Sequence, residues 1–134
     1  MRFQIDTLTA IWAVQRLLGV ACPISATYNA QQLADQLKDV KCKALFISAP
    51  LVAPALEAAA LAGLPKDRIY VLEVPEKATK GVQIPSDLKT VNDSIARGRD
   101  LSPLKPIVWG KDEGTRRTAL LCSSSGTSGF PVSW

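Results

Sequence analysis

Four short apolar runs, Val20–Ile24, Ala44–Ile47, Ile69–Leu72 and Thr118–Cys122, constrain this chain more than any other feature. Each is too short for a helix and has Gly, Pro, Ser or a charged residue at its borders, so each reads as a buried strand. Helical patterns separate the first three. Leu8, Ile11, Trp12 and Leu18 fall on one helical face, with Asp6 or Thr7 placed to cap the start and Gly19 to end it. This stripe is expected to face the core. Asn29 and Gln32 have the spacing of a capping box, and Leu33, Leu37 and Val40 repeat at i, i+4, i+7 behind them. Residues 51–62 are rich in Ala and Leu, with Gly63 and Pro65 as a stop. Residues 75–85 carry Lys, Gly and Pro without periodicity and read as an exposed connection. Residues 88–98 read as a further helix with Leu88, Val91 and Ile95 turned inward.

Strands alternating with helices at this spacing predict an α/β fold, a three-layer parallel sheet of about four strands flanked by helices. At 134 residues the chain fits one domain, 1–134, able to bury a core without disulfides. Cys22, Cys42 and Cys122 are odd in number, widely spaced and in apolar contexts, which predicts reduced, buried thiols rather than a disulfide framework or a metal site. The absence of His removes the commonest general base and excludes Ser-His and Cys-His nucleophiles. A formal charge of +4 is dispersed among acids, with no basic stripe for nucleic acid. The mild basic excess over 75–117 reads as a solvated surface, with an anion-attracting rim as the sharper alternative. The N-terminus lacks signal-peptide character, and Leu51–Leu64 is interrupted by Glu57 and two prolines and is too short to span a bilayer. The expected location is cytoplasmic, with no membrane partner.

The fourth apolar run leads directly into Ser123, Ser124, Ser125, Gly126, Thr127, Ser128 and Gly129. A Ser/Thr/Gly loop after a buried strand can turn backbone N–H groups and hydroxyls toward one anion, and phosphate is its natural ligand. It lacks the Gly-Lys-Ser/Thr ending of a Walker A loop and is not a G-x-G-x-x-G fingerprint. The string LLCSSSGTSGFP resembles the phosphate-loop motif of the adenylate-forming superfamily. Upstream, IDTLTAIWAVQRLLGVACPISATYNAQQLADQLKDVKCKALF is similar to that family's helix, G-G-V strand and following helix. The likeness covers nearly the whole chain and is greatest to coumarate-CoA-ligase-like acyl-CoA ligases.

By that resemblance Ser124, Ser125, Gly126, Thr127, Ser128 and Gly129 match the loop that closes over the β- and γ-phosphates of ATP, which implies ATP or AMP as ligand. Val132 stands where the family has Lys, and the ammonium is missing from the loop. After Val132 only Ser133 and Trp134 follow, whereas the family's adenine and ribose contacts, metal-binding Glu, acyl pocket and catalytic Lys lie further on. The resemblance therefore implies a truncated ligase-like domain ending in a phosphate-loop-like tail at 123–131, without ligase activity of its own. Family members also have a buried strand before the equivalent of Ile5-Asp6. A sheet lacking it is expected to associate through its open edge, as a homodimer or with a larger ligase-like partner.

Two other readings stay open at this point. One is a small repurposed enzyme that cyclises or isomerises an acyl or polyketide-like ligand. Its candidate groups are Asp6, Tyr28, Asp35, Asp39 and Cys122, each with a plainer role as cap, anchor, solvated helix face or buried strand residue. The other is an interaction module that pairs with a full-length ligase, with Trp12, Trp109 and Trp134 as apolar anchors.

Overall fold

The computed structural model describes residues 5–74 and 83–122. They form two compact units, one drawn from 1–24 and 101–134, the other Ser25–Asp100.

The second unit carries the sheet. Its first helix, α2 (Ala30–Asp39), starts where the spacing of Asn29 and Gln32 predicts: the Asn29 side chain accepts from the Gln32 N–H at 2.8 Å, and the Gln32 side chain accepts from the Asn29 N–H at 3.1 Å. Leu33, Ala34 and Leu37 are buried on one face, which packs along α3 (Val52–Ala62). Ala34, Ala55 and Ala58 have no solvent exposure and Ala59 almost none. With so little side chain at these positions, the space around them is sensitive to any added methylene.

Between these helices runs β1 (Leu45–Ser48), and α3 is followed by β2 (Ile69–Leu72). β1 pairs with β2 in parallel, Leu45 opposite Ile69 and Ser48 opposite Leu72, and β2 pairs in parallel with β3 (Lys89–Thr90). β2 is therefore central in the order β1-β2-β3, and Ile69 and Val71 have no solvent exposure. On the alternate pleat the Phe46 and Tyr70 rings stack at 5.3 Å, and the Lys89 ammonium lies 5.7 Å from the Tyr70 ring centre. β3 leads into α4 (Val91–Gly98), which opens with a Thr90–Asp93 capping box and packs on β2 and β3. Hydrogen bonding by Thr90 holds the Asp93 carboxyl below its usual range.

The other unit holds α1 (Ile5–Arg16) and a short helix α5 (Glu113–Arg116). Here the structure corrects two expectations. The runs at 20–24 and 118–122 do not form regular strands; they meet at one parallel bridge, Ala21 with Leu120. Pro23 has no N–H with which to extend that ladder. The α1 stripe does not face a core either: Leu8 is 51% and Trp12 65% exposed. Leu101, Leu104 and Val108 of the same unit are exposed as well. A helical period identifies which residues share a face, not what lies against that face.

The α/β class and the parallel sheet with flanking helices agree with the sequence, though the described sheet has three strands rather than four. No helix among the described residues is long and apolar enough to cross a membrane. Cys22, Cys42 and Cys122 form no disulfide with one another.

Candidate functional site

Ser124, Ser125, Gly126, Thr127, Ser128, Gly129 and Val132 lie outside the described residues. What is described is the segment that precedes them in the chain. The Ala21 N–H donates to the Ala119 carbonyl at 3.1 Å, and the Leu121 N–H donates back to the Ala21 carbonyl at 2.9 Å. Gln15 Nε2 from α1 donates to the same Ala119 carbonyl at 3.3 Å. This clasp holds the backbone up to Leu121, two residues before Ser123. Arg16 adds a second tie, donating through Nη2 to the Leu104 and Lys105 carbonyls at 3.0 and 2.6 Å. The last turn of α1 thus holds the backbone at Leu104 and Lys105 and at Ala119.

Upstream of the strand, Glu113 organises the turn. Its Oε2 accepts from the Gly110 N–H at 3.0 Å, and its Oε1 accepts from Arg117 Nε and Nη2 at 2.7 and 2.6 Å. The Arg117 guanidinium in turn lies 5.5 Å from the Trp109 ring centre. The Gly110 N–H first, and then Arg117, hold the Glu113 carboxyl below its usual range. A depressed carboxylate contributes above its unfolded-state pKa, and that contribution is lost as pH falls through the folded-state value. On acidification the Trp109 indole N–H resonance is therefore expected to keep its folded position through the ordinary carboxylate range and move only below it. Glu113→Gln should abolish that transition. If wild type and variant move together, the ion pair does not organise the turn. The pair is solvent-exposed, so the effect stays local.

The other sequence candidates are scattered. Asp6 sits exposed in the first turn of α1 rather than before it, because the helix already starts at Ile5. Cys122 is exposed rather than a buried strand residue. Tyr28 is half-buried, and its N–H closes a turn onto the Ser25 carbonyl at 3.3 Å. Asp35, exposed on α2, accepts from Gln31 Nε2 at 2.9 Å, and Asp39 is exposed in the last turn of the same helix. None of the five lines the hollow that opens beside α2 and α3. No group of three or more His, Cys, Asp or Glu among the described residues is placed to hold a metal ion. Gln15, whose amide donates to the Ala119 carbonyl, was not marked by any motif. Its signal was only a polar residue in the last turn of an apolar helix.

No family model matches the chain. It is 34% identical over 125 residues to the acyl-CoA ligase frbB of Dothideomycetidae sp., a match that covers 93% of this chain and 22% of that protein. It is 32% identical over 129 residues to the acyl-CoA ligase cm3C of Cordyceps militaris, covering 95% of this chain and 20% of that one. Among solved structures, the apo structure of Mycobacterium smegmatis MbtA superposes with a TM-score of 0.65 at 16% identity, over 97% of this chain and 21% of that one. The chain is thus related to acyl-CoA ligases over nearly its whole length, while it spans about a fifth of the length of the curated relatives it matches.

Proposed function

We propose that this chain is the phosphate-loop-bearing segment of an acyl-CoA-ligase-type fold, and that alone it contacts nucleotide phosphate weakly without forming an acyl adenylate. The observation that carries this is the clasp at Ala21, Ala119 and Leu121, which holds the segment preceding the Ser/Thr/Gly sequence in a chain similar to acyl-CoA ligases. Hydroxyls and backbone amides of Ser124 to Gly129 would receive the phosphates of ATP. With Val132 at the family's Lys position, the loop supplies no point charge of its own. Adenylation requires a carboxylate and a metal-bound triphosphate held in line. The matched fifth of a ligase is too little to supply both. The purified chain is expected to give no carboxylate-dependent exchange of pyrophosphate into ATP above background. Exchange that depends on an added carboxylate would refute the proposal.

A second function, docking on a ligase-like chain, is favoured by one observation: Leu8 and Trp12, four residues apart on α1, present a contiguous apolar face. Co-purification with a related full-length ligase is expected, and Leu8→Ser with Trp12→Ser should abolish it while leaving the urea midpoint nearly unchanged. Retention of the partner by the double variant would exclude this face as the contact. The same variant tested by light scattering separates docking on a ligase from self-association.

A further inference from the structure

A hollow of about 300 Å³ opens where α2 and α3 end beside the first residues of β1 and β2. Its origin lies in how the two helices stop. After α2 the chain turns through Lys41 at φ 50°, and the Cys42 N–H closes onto the Leu37 carbonyl at 2.9 Å. After α3 it turns through Gly63 at φ 72°, and the Leu64 N–H closes onto the Ala59 carbonyl at 2.8 Å. Both turns bring small or backbone atoms to the space between the helix ends, and a Cβ added at Gly63 would meet nothing within 4 Å. The space stays unfilled for that reason.

The walls have a definite chemistry. Leu37, Leu64 and Pro65 give apolar surface. Cys42 adds a neutral one: burial raises its pKa, and its S–H donates to the Ala44 carbonyl at 3.2 Å. At the rim stand Lys43 and Arg68. Lys43 makes no ion pair or hydrogen bond with any described residue, and Arg68 has only its neighbour Asp67, at 3.9 Å. Cations near helix C-termini commonly serve the helices themselves. Here several of the terminal carbonyls, those of Gln36, Leu37, Lys38, Ala59 and Ala60, already accept from cap N–H groups. Lys43 and Arg68 therefore stand beside a hollow whose wall mixes apolar and polar surface, and among the described residues Asp67 is the carboxylate that pairs with either of them.

The geometry points to a binding site for a short aliphatic carboxylate, its chain against Leu37, Leu64 and Pro65 and its carboxylate between Lys43 and Arg68. The volume is at the low end for small-molecule sites. In open α/β sheets ligands are held at the carboxyl ends of the strands, whereas this hollow is at the amino ends of β1 and β2.

Cys42 provides the readout, because an occupant would shield its thiol. Alkylation by iodoacetamide is followed by peptide mass spectrometry, with Cys22 and Cys122 of the same chain as references. Hexanoate is expected to slow Cys42 alkylation severalfold without affecting Cys122. Hexanol, with the tail but no charge, and inorganic phosphate, with charge but no tail, should each change it less than twofold. Lys43→Gln with Arg68→Gln, both exposed positions, should remove the hexanoate effect while preserving the circular dichroism spectrum. Equal protection by hexanol would reduce the site to an apolar hollow, and equal protection by phosphate to a charged rim. Absence of protection by hexanoate, or protection unchanged in the double variant, overturns the site.

Discussion

Ile69→Ala is expected to lower stability by about 2–5 kcal/mol, a large part of what a domain this size has. Ile69 opens the central strand, has no solvent exposure and is paired in register with Leu45 on the neighbouring strand. Removing its side chain leaves a void in the core on the face of the sheet that Ile69 shares with Leu45. The urea midpoint should fall with the slope of the transition unchanged, since the unfolded chain exposes nearly the same surface. Ile95→Ala on α4 is the control. Ile95 is 49% exposed, so the same deletion there should cost about 0.5–1 kcal/mol. Similar midpoints for the two variants would mean that the core does not centre on β2.

Much of that core could be read from the residues alone, because local signals and packing agree there. The Asn29–Gln32 box opens α2, the Ile69–Leu72 run is β2, and Gly63 adopts the left-handed conformation that ends α3. Where the two diverge, tertiary context decided. Lys89 and Thr90 are not helical, because they pair with Tyr70 and Val71 and because Thr90 caps the helix that follows. Gly19 was expected to end α1, yet Leu18 takes the left-handed turn at φ 60°. Gly19 answers a different need: a Cβ there would lie 2.8 Å from Val14 Cγ1 and 3.1 Å from the Val14 carbonyl oxygen. Trp12 could not be placed by periodicity, because no residue pattern in α1 reports which surface covers it.

The candidate site was legible in part. The string from Leu120 to Gly129 reads as a strand and a phosphate loop; the structure gives its first residues as a single bridge to Ala21, and the loop residues lie outside those described. The support from Gln15 was not visible, since a lone amide on a helix carries no signature until its acceptor is known. The hollow under Lys43 and Arg68 was equally hidden. It is made by two helix ends meeting, and sequence spacing encodes neither the meeting nor the unfilled volume.

Val132→Lys is the second change with a large expected effect. A single ammonium near the loop gives one charge-assisted hydrogen bond to the triphosphate, and such bonds contribute about 1.5–3 kcal/mol. The variant should therefore bind ATP at least about tenfold more tightly than the natural chain, since tenfold is about 1.4 kcal/mol. AMP has no β- or γ-phosphate and should gain much less, which separates a phosphate-loop contact from a general attraction of anions to a chain of net charge +4.

The most direct measurement is thermal unfolding of the natural chain and of Val132→Lys over a concentration series of ATP and, separately, of AMP. Stabilisation rises with ligand concentration only for a ligand that prefers the folded state. A phosphate loop lacking only its charge predicts a small ATP-dependent rise for the natural chain, a larger one at lower concentrations for Val132→Lys, and little gain with AMP. No ATP-dependent rise in either protein, or an equal gain with AMP, would contradict it.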